Sequence, residues 1–512
     1  MYNLTTLFMK TNHNSRRNRA FLQLWPCGVL LSAAALLMTA CAKDGYDDDE
    51  RFVSSVSNTT LSSPNADGIK VTPSADGKSQ TITWNVVKGA GGYIFSIYDL
   101  GDINNPIVKD SLVDGCSVTV KREEDVNYRV DLRTAANAKQ NNTEASETTQ
   151  YLFSTFTATY AKIPAGSDLT EWFAANPCPA DSIGKNLNYD LEAGAEYTVS
   201  GVVNFDANAV TLRSTSKSNH PKIKYTTEES TITFTADFNV KYIDFDCSGM
   251  GPGNGVFAFS KETTVPAANS VDPDTYKWDG PFFDKVVISS CNFDNVNGMF
   301  FYDNQVKTGV KTMLIDNCVV RLTPADDATL KSRGVIWTNK KGHINDFTVN
   351  ESTFYEDPEW PNDYKYFYQA GGVSAHEVYN SEATTNSVNY KNSTFYHVTW
   401  NNGQWGNYNR MQGRTWSYWV MTDCIFYDCS TGGSVPRRFL HGQSYEKSPE
   451  NKLFNNNTYM KNDGTFQDPQ SYDQSGTIIE EDPMFADPAN GDFHISGATQ
   501  IARKTGDPRW LP

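Results

Sequence analysis

The chain has few cations for its length, and this shortage excludes several kinds of partner. Its 512 residues carry 44 Lys and Arg against 60 Asp and Glu, which gives a formal net charge of −16. Such a charge argues against nucleic acid as a partner. It also argues against a polyanion that would bind all over the surface. An acidic polysaccharide would therefore need a local basic patch or bridging Ca²⁺, and no other cofactor is expected.

Cysteine is also scarce, and its placement argues against a metal framework. Of the nine cysteines, Cys27 and Cys41 lie in the N-terminal leader, which leaves seven for the folded part. Cys424 and Cys429 have no His at ligand spacing, so we expect no structural zinc site. We likewise find no catalytic motif that assigns a reaction to the chain.

What the chain does contain is a six-residue pattern that returns six times between Val286 and Met460. An apolar residue opens each copy, a polar one stands third, a small Cys, Ser or Asn stands fourth, and an apolar or aromatic residue closes it. The fourth position recurs at intervals of between 27 and 41 residues. A fixed pattern at irregular spacing is typical of a solenoid with loops of variable length between its rungs. The copies are Ile288–Phe293, Ile315–Val320, Val349–Phe354, Tyr390–Phe395, Met421–Phe426 and Phe454–Tyr459.

The copies are short and rich in β-branched and aromatic residues, which predicts that each unit is a strand. Strands stacked about 4.8 Å apart would align like residues in ladders. Cys291, Cys318 and Cys424 share the fourth position with Ser and Asn, so we expect small buried thiols rather than disulfides. The alternative is an antiparallel sandwich, but that fold gives no reason for a shared small-residue column.

These strand–turn units resemble a right-handed parallel β-helix of the pectate-lyase type. The C-terminal runs Asp482–Ile495 and Gly506–Trp510 are similar to the endings of Bacteroidetes outer-surface lipoproteins, whose β-helix domains are mostly uncharacterised. The resemblance implies an all-β chain in which residues 158–512 form the β-helix, and it says little about activity. Tyr242 to Cys247 is predicted to be a seventh, looser copy. Ser167 to Ala175 is predicted to be a helix, with Ser167 as N-cap, that covers the first rung.

The N-terminus has the features of a lipoprotein leader, residues 1–41. A basic segment precedes the largely apolar run from Phe21 to Met38, and Leu37–Cys41 resembles a bacterial lipobox. A spanning helix is the alternative, but no stop-transfer cluster of Lys or Arg follows the run. Residues 42–51 form an acidic tether that resembles a surface-export signal. We therefore expect lipidation at Cys41 and a location on the outer membrane, at the cell surface.

Residues 52–157 show short alternating strands between turn residues, which favours a β-sandwich. Trp84, Tyr93 and Tyr128 fall where a fibronectin type III domain keeps two core aromatics and its tyrosine corner. The resemblance implies an N-terminal fibronectin type III-like domain. We expect it to hold the β-helix away from the membrane.

Two long inserts between late rungs combine large aromatics with Asn, Gln and Arg. An aromatic ring stacks on the apolar face of a sugar while amides and guanidinium groups bond its hydroxyls. Trp400, Trp405 and Tyr408, separated by Gly and Asn, are predicted to lie on the surface. The alternative for Trp416, Tyr418 and Trp419 is that they are strand residues, some of them in the core. The candidate glycan-binding residues are Trp360, His397, Trp400, Trp405, Tyr408, Arg410, Arg414 and Trp416.

Two hypotheses about function follow. The first is a surface lipoprotein that binds plant-type polysaccharide, with pectin as one candidate, for a glycan-import complex. The alternative is a polysaccharide lyase or glycoside hydrolase of the pectate-lyase-like fold. The resemblance implies that a lyase would use Arg or Lys as base, and Arg410, Arg414 and Arg438 are the candidates. A hydrolase would need clustered carboxylates on adjacent rungs, such as Asp423 and Asp428.

Overall fold

The computed structural model describes residues 56–74, 79–261, 278, 280–328, 330–338, 341–370, 386–401, 404–407, 417–430, 434–440, 451–469 and 471–512. Two compact units divide the chain. The first contains the described residues up to Ser96 together with Val108–Lys121 and Val130–Tyr151. The second contains Ile97–Ile107, Arg122–Arg129 and Leu152–Pro512.

The N-terminal part of the chain forms two small sheets. Its strands are β1 Lys70–Pro73, β2 Ser79–Thr83, β3 Tyr93–Asp99, β4 Val108–Val113, β5 Ser117–Lys121, β6 Asn127–Thr134 and β7 Thr149–Ser154. One sheet has the order β1-β2-β5 with antiparallel pairs, and the other has the order β4-β3-β6-β7. Trp84, Tyr93 and Tyr128 are buried. The Tyr128 hydroxyl accepts a hydrogen bond from the Glu123 N–H at 3.1 Å.

Three parallel sheets of ten, nine and seven strands make up the second part. The ten-stranded sheet contains β8 Ala161–Ile163, β9 Asn186–Leu191, β12 Ala209–Ser214, β15 Phe238–Lys241, β18 Phe282–Ser289, β21 Gly309–Asp316, β24 His343–Asn350, β27 Asn386–Lys391, β30 Ser417–Thr422 and β32 Asn451–Asn455. The nine-stranded sheet contains β10 Glu196–Val199, β13 Lys222–Tyr225, β16 Asp244–Asp246, β19 Asn292–Val296, β22 Val319–Leu322, β25 Thr353–Glu356, β28 Thr394–Tyr396, β31 Ile425–Tyr427 and β33 Thr458–Met460. The seven-stranded sheet contains β11 Val202–Asn204, β14 Thr231–Phe234, β17 Gly255–Phe259, β20 Met299–Tyr302, β23 Gly334–Trp337, β26 Tyr366–Gln369 and β29 Gln404–Asn407.

From β9 to β29 the coils visit the three sheets in the same order, so that β9, β10 and β11 are followed by β12, β13 and β14. Strands of successive coils pair in parallel, as β18 does with β21 and β19 with β22. A coil that repeats in this way is a parallel β-helix, and its aromatic and aliphatic side chains fill one continuous core. The predicted solenoid is confirmed, and its right-handed sense stays a prediction.

The repeated pattern lies at the corner between the ten- and nine-stranded sheets. The prediction that each copy is a single strand is therefore wrong. In Ile288–Phe293, for example, β18 ends at Ser289 and β19 begins at Asn292. The third residue of every copy has a left-handed backbone, with φ between 45° and 56°. Asn and Asp tolerate this conformation better than most residues because their short polar side chains bond locally, which explains the polar third position.

The fourth position is buried and links one rung to the next. The Cys318 N–H donates to Ser352 Oγ at 3.0 Å, and the Ser352 N–H donates to Ser393 Oγ at 3.2 Å. Cys291, Cys318 and Cys424 are buried and free. The prediction of small buried thiols in this column is confirmed.

The seventh copy begins two residues earlier than the sequence predicted. Val240 pairs with Ile288, and Phe245 pairs with Phe293, so the copy is Val240–Phe245. Tyr242 therefore occupies the third position, with φ 58°. Because of this two-residue shift, Tyr242 occupies a position at which the six other copies have a polar residue.

Short helices lie near the ends of the β-helix. Helix α1, Leu169–Ala175, buries Leu169 and Phe173 against the first coil. Its N-cap is Asp168, which accepts from the Glu171 N–H at 3.1 Å, so the prediction of Ser167 as N-cap is wrong. Helix α2, Val435–Phe439, follows β31, and α3 is Ala498–Arg503. Within the described residues, no helix is long and apolar enough to cross a membrane. The 3₁₀ helices are Ala66–Gly68, Ala138–Gln140, Ala180–Ser182, Leu330–Ser332, Pro488–Asn490 and Pro508–Trp510.

Residues 482–512, here called the C-terminal strap, cross the outer face of the nine-stranded sheet. Phe493 is buried against the rings of Tyr355 and Tyr396, on β25 and β28. Further along the strap, the Trp510 indole N–H donates to Thr353 Oγ1 at 2.7 Å. The Arg509 guanidinium reaches Asn317, just before β22. The strap thus covers β25 and β28 on this face. Its last residues contact Asn317, which precedes the earlier strand β22.

Candidate functional site

Four of the eight glycan-binding candidates lie among the described residues: Trp360, His397, Trp400 and Trp405. The others lie outside them, as does the predicted lipidation site; these are Tyr408, Arg410, Arg414, Trp416 and Cys41.

Trp405 is a core residue, and the prediction that it lies on the surface is wrong. Its side chain is 0% exposed on β29. The ring stacks on Phe367 with centroids 4.9 Å apart and meets Phe395 and Phe426 edge-on. Flanking Gly and Asn suggest a loop, but the strand directs this side chain between two ladders of core rings. Trp419 is also buried, which confirms the alternative that some of these tryptophans belong to the core.

His397 belongs to a buried polar cluster, and Trp400, which was predicted to lie on the surface, is half-buried beside it. The His397 ring stacks on Trp400 with centroids 4.9 Å apart, and its Nδ1 lies 2.5 Å from Asp428 Oδ2. His397 and Asp428 both have a left-handed backbone and occupy matching positions on adjacent coils, after β28 and β31. The histidine and the aspartate are both buried, so this pair joins two coils.

Two carboxyl groups lie beside this pair. Glu356 is 0% exposed, and its carboxyl lies close to the Thr399 backbone and the Trp400 indole, which favour its charged form. Burial raises the pKa of Glu356 well above its usual range, and the nearby Asp363 raises it further. Asp363 accepts from the Asn401 N–H at 2.7 Å, and burial raises the pKa of Asp363 to about 7. Asp363 therefore ties the segment after β25 to the segment after β28.

This cluster contains acids with raised pKa values, as catalytic sites often do. Its hydrogen bonds, however, join neighbouring segments of the β-helix to one another. Glu356 has no exposed surface, so a saccharide cannot contact it in this arrangement. The half-buried Trp360 uses its indole N–H to donate to Pro324 O at 2.7 Å. Arg438 is half-buried on α2, where burial lowers its pKa. Among the described residues, the buried members of the cluster, Glu356, His397 and Asp428, thus explain the local packing, and Trp400 is half-buried beside them.

An open groove of about 390 Å³ lies instead where the C-terminal strap ends. It extends along the corner between the ten- and nine-stranded sheets. Its lining combines cationic, aromatic and amide side chains: Lys217, His220, Tyr242, Ser290, Asn292, Asn317 and Arg509. No carboxylate is among these described lining residues, but Asp244 pairs with His220 and Asp507 pairs with Arg509 beside the groove.

Neighbouring groups hold most of the groove's polar side chains in place. His220 Nδ1 lies 2.9 Å from Asp244 Oδ1, and its Nε2 lies 2.9 Å from the Lys217 carbonyl. The guanidinium of Arg509 donates to Asn317 Oδ1 at 2.6 Å and to the Asn317 carbonyl at 2.9 Å. Lys217 Nζ lies 5.8 Å from the centroid of the Tyr242 ring. The groove therefore has fixed amide and guanidinium groups and one ammonium on a flexible stem.

A second groove of about 370 Å³ opens on the same nine-stranded sheet. Lys222 and Lys224 of β13 line it, together with Glu196 and Asp246. Because Lys222 pairs with Asp244 of β16, the two grooves lie on neighbouring strands. Together they could contact more than one unit of a chain ligand.

None of the residues that line the first groove was predicted from the sequence to belong to a site. Lys217 and His220 lie in a connection between strands that matches no motif, and Arg509 and Asn317 are 192 residues apart. One signal was present. Tyr242 departs from the polar third position of the repeat, but only when the seventh copy is placed at Val240–Phe245.

Comparisons with known proteins show similarity to domains without an assigned activity. Three family models, each described as a domain of unknown function, match residues 15–194, 195–357 and 388–510. A search of curated proteins finds no match. Among solved structures, a pectate lyase from Pectobacterium carotovorum shares 10% identity with this chain, over 80% of this chain and 98% of its own, with a TM-score of 0.20. A likeness at this TM-score says nothing about the activity of the present chain.

Proposed function

We propose that the protein binds an acidic polysaccharide, with pectin as one candidate, through the groove at the end of the C-terminal strap. The observation that carries this proposal is the lining of the groove. Lys217, His220 and Arg509 place three basic side chains around one open space in a chain of net charge −16. This is the local basic patch that an acidic polysaccharide would need.

The chemistry of the lining suits a carboxylated sugar. Guanidinium and ammonium groups bind carboxylates, whereas amide side chains such as Asn292 and Asn317 bond hydroxyls. The Tyr242 ring adds an apolar face for the sugar ring. The neighbouring groove, in which Lys222 and Lys224 stand beside Glu196 and Asp246, offers a mixed-charge continuation for further units of the same chain.

The geometry favours binding over cleavage. Both ring nitrogens of His220 are engaged, and the Arg509 guanidinium bonds Asn317, so neither is placed as a free base. Glu356 and Asp363, whose pKa values burial raises, belong to the cluster around His397 and do not line the groove, and Asp507, whose pKa burial raises to about 6, is paired with Arg509. Lys217 alone could act as a base, so a polysaccharide lyase remains the second candidate.

The test compares Lys217→Glu with the parent and with Lys185→Glu, a matched charge reversal at an exposed lysine outside the groove. We expect Lys217→Glu to weaken binding to oligogalacturonate by about tenfold or more at low salt, because repulsion replaces attraction. The Lys185 variant should bind as the parent does. Titration calorimetry gives the affinities, and electrophoresis through pectin and through neutral xylan gives the preference for acidic chains.

Two outcomes would count against binding as the function. If neither polysaccharide retards the parent protein, or if both Lys variants bind oligogalacturonate equally, the groove is not the site. An increase in absorbance from unsaturated uronate product, lost in Lys217→Ala while substrate still binds, would favour the lyase instead.

We further propose that Cys41 is lipidated and anchors the protein to the outer membrane, at the cell surface, where a glycan-import complex would receive the bound sugar. The leader, residues 1–41, and the acidic tether, residues 42–51, support this proposal. The two small sheets that follow would form a fibronectin type III-like spacer, for which buried Trp84 and Tyr93 are the support.

Replacing Cys41 tests the anchor. Cys41→Ala should move the protein from the membrane fraction to the soluble fraction, since acyl chains supply about 0.8 kcal/mol of membrane affinity for each buried CH₂. Fractionation with immunoblotting measures this, and Cys27→Ala is the control that should stay in the membrane. Retention of the Cys41 variant after washing without detergent would favour a spanning leader.

A further inference from the structure

Tyr242 differs from the residues at the same position in the six other copies of the repeat. The third residue of the corner has a left-handed backbone in all seven described copies, and six of these residues are Ser, Asn, Asp or Glu. Tyr242 is the one aromatic among them, with φ 58°. For a bulky side chain this conformation is a true outlier. Such residues are often found at binding sites, where the surrounding structure holds them in place.

This residue with an unusual backbone conformation lies in the groove at the end of the C-terminal strap. The half-buried Tyr242 lines the groove, and its ring centroid lies 5.8 Å from Lys217 Nζ and 6.1 Å from the ring of His220. The corner also fixes the backbone on both sides of Tyr242. Its N–H donates to Ser289 O at 3.3 Å, and Val240 pairs with Ile288 one coil further on. The coil therefore presents an aromatic ring beside the cationic side chains of Lys217 and Arg509.

We infer that Tyr242 is a stacking platform that selects a pyranose ring bearing a carboxylate. The inference rests on the proposed function and adds the residue that would set its specificity. The apolar C–H face of the sugar lies on the phenol ring, and the sugar carboxylate points toward Lys217 and Arg509. A flexible anionic chain without sugar rings would use the cations and gain nothing from the tyrosine.

The simpler alternative is that Tyr242 only packs against Lys217 and His220. The two explanations differ in what the loss of the ring does. If Tyr242 only packs, replacing it changes stability and leaves affinity alone. If it stacks on sugar, replacing it lowers affinity while the corner keeps or gains stability, because a residue suited to the left-handed backbone relieves the strain.

The experiment uses Tyr242→Asn, which supplies the residue type found at Asn317, Asn392 and Asn456, and Tyr242→Phe, which keeps the ring. Each full-length variant is titrated with tetragalacturonate, and its melting temperature is measured. We expect the Asn variant to bind about tenfold more weakly than the parent, at an equal or higher melting temperature. The Phe variant should bind nearly as the parent does. Tyr242→Gly, which also accepts a left-handed backbone, repeats the test independently.

A second ligand separates stacking from charge attraction. Polyglutamate carries carboxylates without sugar rings, so its affinity should fall in Lys217→Glu and stay unchanged in Tyr242→Asn. If Tyr242→Asn and Tyr242→Gly both bind tetragalacturonate within twofold of the parent while Lys217→Glu does not, the platform is refuted and the proposed groove survives. If the parent protein does not bind tetragalacturonate, the proposed function and the platform both fail.

Discussion

Trp405→Ala should lower the free energy of unfolding by about 3–5 kcal/mol, the range measured for truncating buried Phe or Trp. The ring is 0% exposed, stacks on Phe367, and meets Phe395 and Phe426 edge-on. Removing it leaves a cavity between two aromatic ladders. Strands on both sides hold those ladders apart, so the cavity cannot collapse fully.

Denaturant unfolding followed by circular dichroism measures the effect, with Tyr418→Ala as control. Tyr418 lies on the next strand in the chain and is 42% exposed, so its truncation should change stability by about 0.5 kcal/mol or less. Because solenoids can unfold in parts, the slope of the transition is compared as well as its midpoint. A Trp405→Ala protein that unfolds at the parent midpoint and loses only polysaccharide binding would contradict its place in the core.

The fold could be predicted because the solenoid repeats its constraints. Each coil needs the same small residue in the buried corner and the same apolar residues on either side, so six copies reinforce one weak signal. Stacking then follows: Phe245 lies over Phe293, with centroids 4.7 Å apart, and Phe395 over Phe426, with centroids 5.0 Å apart. The corner itself was not predicted, because a short apolar–polar pattern cannot distinguish one strand from two strands joined by a left-handed residue.

The candidate site could not be predicted in the same way, because it is formed where the repeat is broken. Whether Trp405 points inward depends on the register of β29, and a shift of one residue would have exposed it. The groove depends on where the C-terminal strap ends, which no local pattern records. Only Tyr242 could have been noticed from the sequence, because it is aromatic where the other copies have a polar residue. The seventh copy was predicted two residues too late in the chain, so this exception was missed.

The second large effect is a pH dependence of the free energy of unfolding that the buried acid Asp363 causes. Its sign follows from the direction of the pKa shift. Burial raises the pKa of Asp363 from 3.8 to about 7. Between these values the folded protein binds a proton that the unfolded chain has released, so stability falls as the pH rises from about 4 to about 7 and then levels off. Asp363→Asn removes this titration while its amide oxygen can still accept from the Asn401 N–H.

We therefore expect Asp363→Asn to be more stable than the parent at pH 8 by about 1–3 kcal/mol, and to lose that advantage toward pH 4, where the parent carboxyl is protonated. Removing the Asp363 charge should also lower the raised pKa of Glu356, because Asp363 contributes to that shift. Denaturant midpoints at pH 5 and pH 8 measure the difference, with Asp326→Asn, an exposed acid paired with Lys331, as the control that should not change the pH dependence. If Asp363→Asn shows the same decline from pH 5 to pH 8 as the parent, Asp363 is ionised throughout. The segments after β25 and β28 would then be joined by a charged carboxylate rather than by a protonated one.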